Sequence, residues 1–273
     1  MVIMNANIYQ YGRGFVLELE KEGAKGYGEI SPLPGWNTES IGEAFQQLVS
    51  VLMNGPHVHL YPSVSFGLYS AYLDLTNPIP AFEVEVKPKI KLGHLSEKEA
   101  ESLVYPGCRV DVNRQWSLEK ALSFFKKFPP GMFDYIEEPV NHLSHLTPFV
   151  KETGHLIALD ETVRDTPLAT IELIPGVKAL IVKPTMQGNT LQILSQKKIP
   201  CVLSSSHETP LGIRRIAELK RRLSFHTYAM GLLPHQEIGG ALPVSNGKLQ
   251  LQEITFKPCC AQLLTTLKNV RVI

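Results

Sequence analysis

The chain has 273 residues, 44% of them hydrophobic, and its 27 lysine and arginine residues nearly balance 26 aspartates and glutamates. This composition is typical of a globular protein with one large domain or a large domain and a small one, and the balanced charge gives no reason to expect a nucleic-acid partner. No apolar run is long enough to span a membrane, and the N-terminal segment lacks the pattern of a signal peptide, so we expect a cytoplasmic protein.

The first 80 residues predict an α+β domain. The segment NIYQYGRGFVLELE alternates between polar and apolar residues around a glycine-containing centre, which indicates a β-hairpin. Residues 40–53 and 64–75 have the apolar spacing of helices.

From about residue 81, short apolar runs alternate with charged, helix-like stretches such as SLEKALSFFKKF, TLQILSQKKI and PLGIRRIAELKRRL, a pattern typical of a parallel sheet. One polar or glycine residue recurs where each run ends, and successive ones are 20 to 26 positions apart, which suits one βα unit. They are Lys91, Asp111, Glu137, Asp160, Lys183, Ser205 and Gly231. Because the carboxyl ends of the strands converge on one face of a barrel, we favour a (β/α) barrel over an open sheet.

Three of these strand-end residues are acidic, namely Asp111, Glu137 and Asp160. Carboxylates that converge on one face repel each other unless a cation lies among them, and all three are hard oxygen ligands. We therefore predict a site for Mg²⁺, or alternatively Mn²⁺, with Asn113 and Glu161 close enough to support the ligands. The competing interpretation is that each carboxylate pairs with a surface lysine or arginine. Alternation along the strand is expected to turn Glu138 outward, away from the ion.

Lys89 and Lys91 are two residues apart and share one face of their strand, while Lys183 ends another strand and faces the acidic residues across the barrel. Two ammonium groups this close disfavour each other's charge, as does a nearby metal ion, so one lysine can act as a base. The competing interpretation of the pair is a solvated, lysine-rich edge strand. Ser204, Ser205 and Ser206 lack the G-x-S-x-G motif of a nucleophile and are interpreted as hydrogen-bond donors to a substrate carboxylate.

In chain order, Lys-x-Lys, Asp-x-Asn, Glu-Glu-Pro, Asp-Glu and Lys-Pro-Thr resemble the enolase superfamily. Five segments between residue 28 and about residue 212 resemble, more narrowly, the o-succinylbenzoate synthase family of the muconate-lactonizing-enzyme-like subgroup: GEISPLPGWNTES, PSVSFGLYSA, RVDVNRQWS, IVKPTMQG and SSSHETPLG. The resemblance implies an α/β fold, with a modified (β/α) barrel at residues 81–242 and an α+β capping domain at residues 1–80. The C-terminal segment 243–273 is expected to return to the capping domain.

The resemblance also implies roles for individual residues. Lys91 matches the family's acid/base lysine, Lys89 its partner on the same face, and Lys183 the lysine on the opposite face that stabilises the intermediate as a cation. The implied metal ligands are Asp111, Glu137 and Asp160. The implied substrate-binding residues are Arg109, Ser205, Ser206, Gly231 and, in a capping-domain loop that closes over the substrate, Leu33, Pro34, Gly35 and Trp36.

The segment before the Lys-x-Lys strand departs from the family pattern. The family has a first barrel strand and helix there, but in this chain PIPAFEVEV alone separates LDLTN from KPKIK. We therefore expect the first βα unit to be shortened or lost and the barrel to be partly open. The C-terminal segment also matches the family poorly, and within it LPVSNGKLQL predicts a hairpin around an Asn-Gly turn.

The implied function is Mg²⁺-dependent dehydration of a small carboxylate, 2-succinyl-6-hydroxy-2,4-cyclohexadiene-1-carboxylate, to 2-succinylbenzoate in menaquinone biosynthesis, through an enediolate. Two alternatives stay open. One is an N-acylamino acid racemase, in which Lys91 and Lys183 are bases on opposite faces. The other is a degenerate barrel that binds a ligand or a partner without turnover, although the presence of all three carboxylates and all three lysines argues against it.

Overall fold

An antiparallel sheet joins the N-terminal segment of the chain to the C-terminal segment. Its strands are β1 (Val2–Tyr11), β2 (Gly14–Lys21), β3 (Ala24–Ile30) and β13 (Gln262–Val272), in the order β13-β1-β2-β3. The computed structural model describes residues 2–55, 59–166, 174–188, 200–223, 227–232, 242–251 and 261–272. The predicted N-terminal hairpin is confirmed, because β1 and β2 pair up to Tyr11 and Gly14 at the turn.

Two helices, α1 (Ile41–Asn54) and α2 (Pro62–Thr76), pack on this sheet, and both were predicted from their apolar spacing. α1 begins with a capping box. The side chain of Ser40 accepts the backbone N–H of Glu43, and the Glu43 carboxylate accepts the backbone N–H of Ser40. The apolar faces of both helices then complete a core with the sheet that includes Leu17, Leu48 and Val64.

The backbone of α2 lies directly against β3, and glycines make this approach possible. A Cβ atom at Gly28 would lie 2.0 Å from the backbone oxygen of Gly67, so no side chain fits there. We predict that Gly28→Ala lowers the free energy of unfolding by about 2–3 kcal/mol, measured by urea denaturation. Gly42→Ala is the matched control, since a Cβ at Gly42 in the first turn of α1 meets nothing within 4 Å and alanine favours a helix. Wild-type stability of Gly28→Ala would contradict this packing.

The predicted parallel sheet is confirmed, and its six strands are neighbours in chain order. They are β5 (Lys89–Lys91), β6 (Arg109–Asp111), β7 (Tyr135–Glu137), β8 (Ile157–Leu159), β9 (Val177–Val182) and β10 (Cys201–Leu203). The pairing places Lys91 opposite Asp111, and Asp111 opposite Glu137. Functional side chains from successive strands therefore emerge at the same edge of the sheet.

A helix follows each of the parallel strands in the chain. These helices are α3 (Glu97–Leu103), α4 (Leu118–Phe125), α5 (Leu146–Thr153), α6 (Glu161–Asp165), α7 (Pro184–Gln187) and α8 (Pro210–Arg222). The helix predicted at residues 190–199 lies outside the described residues. In the parts of the chain that the structure describes, no helix has the length and apolar character needed to cross a membrane.

The segment before β5 replaces the missing first βα unit. Between α2 and β5, where every residue is described, the chain forms β4 (Phe82–Glu85) and no helix, as the sequence predicted. Next to β4, the N–H of Met230 donates to Glu85 O at 2.8 Å, and the N–H of Lys87 donates to Met230 O at 3.0 Å. The N–H of Gly231 in turn donates to Leu203 O of β10 at 3.0 Å. Two isolated β-bridges, Ser204–Gly231 and Val86–Met230, therefore link the end of β10 to the segment that precedes β5.

The predicted Asn-Gly hairpin near the C-terminus is also confirmed. It consists of β11 (Val244–Ser245) and β12 (Lys248–Leu251). Asn246 and Gly247 between them both have positive φ, 51° and 71°, as a two-residue hairpin turn requires. β12 pairs with β4, whereas β13 pairs with β1.

The antiparallel sheet is fastened to the barrel helix α8 by a buried carboxylate. Glu29 of β3 accepts the backbone N–H of Thr209 at 3.0 Å and that of Gly212 at 2.9 Å, at the start of α8. Burial raises the pKa of Glu29, although hydrogen bonds from Ser31 and Thr209 oppose this shift. Further along α8, Arg215 pairs with Asp74 of α2 at 2.6 Å. These contacts hold β3 and α2 close to the carboxyl edge of the parallel sheet.

Candidate active site

A cavity of about 290 Å³ opens at the carboxyl ends of the parallel strands. The predicted site residues that line it are Leu33, Trp36, Lys89, Lys91, Asn113, Asp160, Glu161, Lys183, Ser205, Ser206 and Gly231. Met186, Ser204 and His207 complete the lining. The fold thus gathers most of the residues that the sequence analysis singled out around a single space.

Lys89 lies among the buried carboxylates. Its Nζ is 2.7 Å from Asp111 Oδ2, and it also pairs with Glu137 Oε1. Burial disfavours the positive charge, but the carboxylates of Glu137 and Asp111 outweigh it and raise the pKa of Lys89 above its ordinary value. Lys89 therefore stays an ammonium group that pairs with both carboxylates and offsets part of their negative charge.

Glu137 and Asp160 respond in opposite ways to their surroundings. Burial raises the pKa of Glu137 well above its usual range, although Lys89 opposes this shift. The Nζ of Lys183 lies 2.6 Å from Asp160 Oδ2. Against the effect of burial, the charges of Lys183 and Lys89 lower the pKa of Asp160. Asp160 is therefore held as a carboxylate beside Lys183.

Lys91 differs from the other two lysines of the site. Its side chain is exposed and lines the cavity, and its ammonium makes no ion pair or hydrogen bond with any residue that the structure describes. Lys89, by contrast, is committed to the buried carboxylates. Lys91 is the lysine that is available to exchange a proton with a bound ligand.

Asn113 connects two of the acidic residues. Its backbone N–H donates to Asp111 Oδ1 at 2.9 Å, and its side-chain Nδ2 donates to Glu161 Oε1 at 3.2 Å. Burial and the negative charges of Asp160 and Glu138 raise the pKa of Glu161. Asn113 and Glu161 thus lie beside the carboxylates that they were predicted to support.

The carboxylates retain free capacity for a cation. Asp111 Oδ2 and Glu137 Oε2 are buried, and neither accepts a hydrogen bond from a described residue. The contact between Lys89 and Asp111 Oδ2 is therefore an ion pair without the geometry of a hydrogen bond. Within the described ranges, no group of three or more acidic, histidine or cysteine side chains has the arrangement of a metal site. The ammonium groups of Lys89 and Lys183 lie against the carboxylates instead. The donor chemistry fits a hard divalent cation, which would compete with the lysines for the same oxygens.

Arg109 does not reach the cavity, which corrects its assignment as a substrate-binding residue. It begins β6, whereas Asp111 ends it, so the two side chains lie at different heights along the strand. The guanidinium donates to Asp134 Oδ2 and to Ala229 O, both at 2.8 Å, and lies 4.9 Å from the centre of the Tyr135 ring. Arg109 therefore ties neighbouring strands together below the site.

The cap loop, residues 33–37, covers one side of the cavity. Leu33 and Trp36 line the cavity, and Pro34 and Gly35 form the exposed turn between them. The guanidinium of Arg164 in α6 lies 4.9 Å from the centre of the Trp36 ring. This cation–π contact holds an apolar ring at the mouth of the cavity.

Glu138 is buried, and the expectation that it faces outward was wrong. β7 ends at Glu137, and Glu138 has a φ of 42°, so the alternation of a strand does not extend to it. Its carboxylate accepts the backbone N–H groups of Asp160 at 2.9 Å and Thr162 at 2.6 Å, and the Nε–H of Arg114 at 2.9 Å. Glu138 therefore fixes the backbone that carries Asp160.

Sequence reasoning did not single out Met186 or Glu208, which also belong to the surroundings of the site. Met186 lies in α7, three positions after Lys183, and an apolar residue there gives no chemical signal. Glu208 is 2% exposed and accepts hydrogen bonds from Thr185 and Ser206. Its position shortly after the serines was the signal that could have marked it.

Sequence comparison relates the chain to o-succinylbenzoate synthases. A family model described as "MenC, N-terminal domain" matches residues 1–75. The o-succinylbenzoate synthase of Edwardsiella ictaluri is 30% identical over 252 residues, which cover 76% of this chain and 77% of that protein.

Solved structures share the fold. The o-succinylbenzoate synthase from Thermosynechococcus elongatus BP-1, complexed with Mg in the active site, has a TM-score of 0.59 and 18% identity, covering 85% of this chain and 91% of that one. A member of the enolase superfamily from Roseovarius nubinhibens ISM, complexed with magnesium, has a TM-score of 0.70 and 14% identity, covering 97% and 99%. The predicted enolase-type α/β fold is thereby confirmed. Together with the match over most of both chains, it shows that the chain belongs to the o-succinylbenzoate synthase family of lyases in the enolase superfamily.

Proposed function

We propose that the protein catalyses the Mg²⁺-dependent syn dehydration of 2-succinyl-6-hydroxy-2,4-cyclohexadiene-1-carboxylate to 2-succinylbenzoate in menaquinone biosynthesis. The observation that carries the proposal is the position of Lys91. It faces the cavity without a partner among the described residues, while Lys89 and Lys183 are committed to the carboxylates around it. Membership of the family supports the choice of substrate.

The charges around the cavity support the need for a divalent cation. Four carboxylates, those of Asp111, Glu137, Asp160 and Glu161, lie in or beside the lining. Three ammonium groups face them, so the site has one excess negative charge when all groups are ionised. The substrate would add two more carboxylates, and such a dianion needs a compensating cation. Asp111, Glu137 and Asp160 would hold the ion, with Asn113 and Glu161 next to them.

Lys91 carries out both proton transfers in this proposal. The proton to be removed lies on the ring carbon that bears the carboxylate, and the hydroxyl leaves from the neighbouring carbon on the same face. Lys91, as a neutral amine, takes the proton, and as an ammonium it then donates it to the departing hydroxyl, which leaves as water. A ring double bond forms between the two carbons, and aromatisation drives the elimination. A bound Mg²⁺ would supply stabilisation of the negative charge that develops on the carboxylate as an enediolate.

Lys183 acts through its positive charge. Its Nζ lies 2.6 Å from Asp160 Oδ2, so it forms an ion pair with a carboxylate of the site. A racemase would require Lys183 as a neutral base on the opposite face of the substrate, so the ion pair favours the dehydratase. Leu33 and Trp36 of the cap loop would keep water from the reacting carbons and so strengthen these charge interactions.

The proposal is tested by incubating purified protein with the substrate and Mg²⁺ and following 2-succinylbenzoate. We expect product with Mg²⁺ and none after a chelator has removed the ion, with recovery when Mg²⁺ is returned. Proton exchange on acylamino acids without any formation of 2-succinylbenzoate would replace the dehydratase proposal with the racemase alternative.

A further prediction concerns the ligand Glu137. Glu137→Gln removes a negative charge and one anionic oxygen donor, so Mg²⁺ binding measured by calorimetry should weaken by about 100-fold or more. Glu83→Gln is the control, because Glu83 is an exposed carboxylate paired with Lys248 on β12. Equal Mg²⁺ affinity of Glu137→Gln and the wild type would remove Glu137 from the ligand set.

A further inference from the structure

The cap loop is closed by one side chain, which also attaches it to the barrel. The backbone N–H of Leu33 donates to Asn37 Oδ1 at 2.9 Å, and the backbone N–H of Asn37 donates to Leu33 O at 2.9 Å. The Asn37 side chain then donates through Nδ2 to the backbone oxygen of Thr185 at 2.9 Å. Any displacement of the cap loop therefore acts on Thr185.

Thr185 passes this connection into the barrel. It is 1% exposed and lies in α7, two residues after Lys183. While its backbone oxygen accepts from Asn37, its hydroxyl donates to Glu208 Oε1 at 2.5 Å. One residue thus links the cap loop with the far side of the cavity.

Glu208 completes the connection at the serine loop, residues 204–208. Its carboxylate accepts the backbone N–H of Ser206 at 2.6 Å and the hydroxyl of Ser206 at 2.7 Å. No lysine or arginine among the described residues pairs with Glu208, although it is buried. Since an unpaired buried carboxylate is costly, its three hydrogen bonds must hold it in place, and it in turn holds Ser206.

We propose that Asn37, Thr185 and Glu208 are positioning residues that couple the cap loop to the serine loop, so that the two sides of the cavity take up their positions together. The coupling itself requires no ligand. Its consequence for catalysis rests on the proposed function, because Leu33, Trp36 and Ser206 would enclose the substrate.

Hydrogen exchange in the ligand-free protein tests the coupling directly. Glu208→Ala should speed exchange in the serine loop and also in the cap loop, which Glu208 does not touch, by about fivefold, the effect of losing one net hydrogen bond. Asn37→Ala, a change in the cap loop, should in turn speed exchange at Ser206 in the serine loop. Acceleration confined in each variant to the mutated loop would overturn the proposal.

Conservative substitutions separate coupling from general loss of structure. Glu208→Gln should restore slow exchange, because an amide can accept from the Ser206 N–H and donate to the two hydroxyls, which can rotate to accept. Thr185→Val keeps the shape but loses the hydroxyl, so it should speed exchange in both loops, whereas Thr185→Ser should not. Ser117→Ala, which removes the distant cap of α4, is the control and should leave both loops unchanged. If cap-loop exchange in Thr185→Val stayed as slow as in the wild type, the proposed coupling would be contradicted. This test holds even if Glu208→Ala does not fold.

Kinetics supply the second measurement. Asn37→Ala and Glu208→Ala should each raise KM for the substrate about tenfold with a smaller fall in kcat, since they loosen the enclosure and leave Lys91 in place. The double variant should be no worse than the poorer single variant, because both substitutions break the same connection. Effects that multiply in the double variant would show two independent contributions. Because exchange is measured without substrate, failure of the dehydratase assay would refute the proposed function and leave the coupling result standing.

Discussion

Replacing Lys91 with alanine should abolish formation of 2-succinylbenzoate, lowering kcat by more than about 10⁴-fold. General acid–base catalysis usually contributes about 10²- to 10⁴-fold for one transfer, and here one side chain would serve as base in the first step and as acid in the second. Lys91 is exposed and has no partner among the described residues, so the free energy of unfolding should change by less than about 0.5 kcal/mol. A product assay and urea denaturation of the same preparation measure the two effects.

Two other lysine variants define what the result means. Lys183→Arg keeps a positive charge and should retain part of the dehydratase activity, while any deuterium exchange into acylamino acids should disappear because arginine is a poor base. Lys127→Ala removes an exposed lysine paired with Glu97 and Glu101 and should behave as the wild type. If Lys183→Arg lost dehydratase activity as completely as Lys91→Ala, the purely electrostatic role of Lys183 would be wrong.

Glu138→Ala should have the largest effect on stability, lowering the free energy of unfolding by about 3–5 kcal/mol. The substitution removes a fully buried carboxylate. It leaves the N–H groups of Asp160 and Thr162 without an acceptor and Arg114 without one of its anionic partners. Urea denaturation measures the change. Because Asp160 loses its backbone anchor, Mg²⁺ affinity should fall in the same variant.

Glu138→Gln separates the two functions of this carboxylate. Its amide oxygen can still accept from Asp160 and Thr162, but the charge opposite Arg114 is lost, so we expect a loss between those of the wild type and Glu138→Ala. Glu152→Ala removes an exposed carboxylate paired with Lys126 and should change stability by less than about 0.5 kcal/mol. If Glu138→Ala unfolded with the same urea midpoint as the wild type, the structural role of Glu138 would be contradicted.

The convergence of the site residues could be predicted from the sequence because it depends on a simple repeat. Lys91, Asp111 and Glu137 each end a short apolar run, and parallel strands in register bring such ends together. The loss of the first βα unit could also be predicted, since the chain between α2 and β5 is too short for a strand, a helix and a loop. Both predictions used the length and spacing of segments, which are properties of the sequence.

The direction of individual side chains next to the strand ends could not be predicted in the same way. Glu138 follows Glu137 immediately, but its positive φ, which the surrounding structure imposes, turns it towards the start of α6. Arg109 is two residues from Asp111, yet it lies at the other end of a three-residue strand. Glu208 and Thr185 meet because α7 and the serine loop are neighbours in space, and no local pattern indicates that contact.

The bridge between Val86 and Met230 has a consequence for the order of folding. The two residues lie far apart in the chain, and contacts of such long separation form late because loop closure opposes them. The strands from β5 to β10 pair with near neighbours in sequence, so we expect them to assemble before this bridge closes. A junction made of isolated bridges should also be the first part of the barrel to separate under mild denaturation. Lys91 ends β5, which follows this junction in the chain and pairs with β6 on its other side, so loss of the bridge would loosen one side of the strand that carries Lys91.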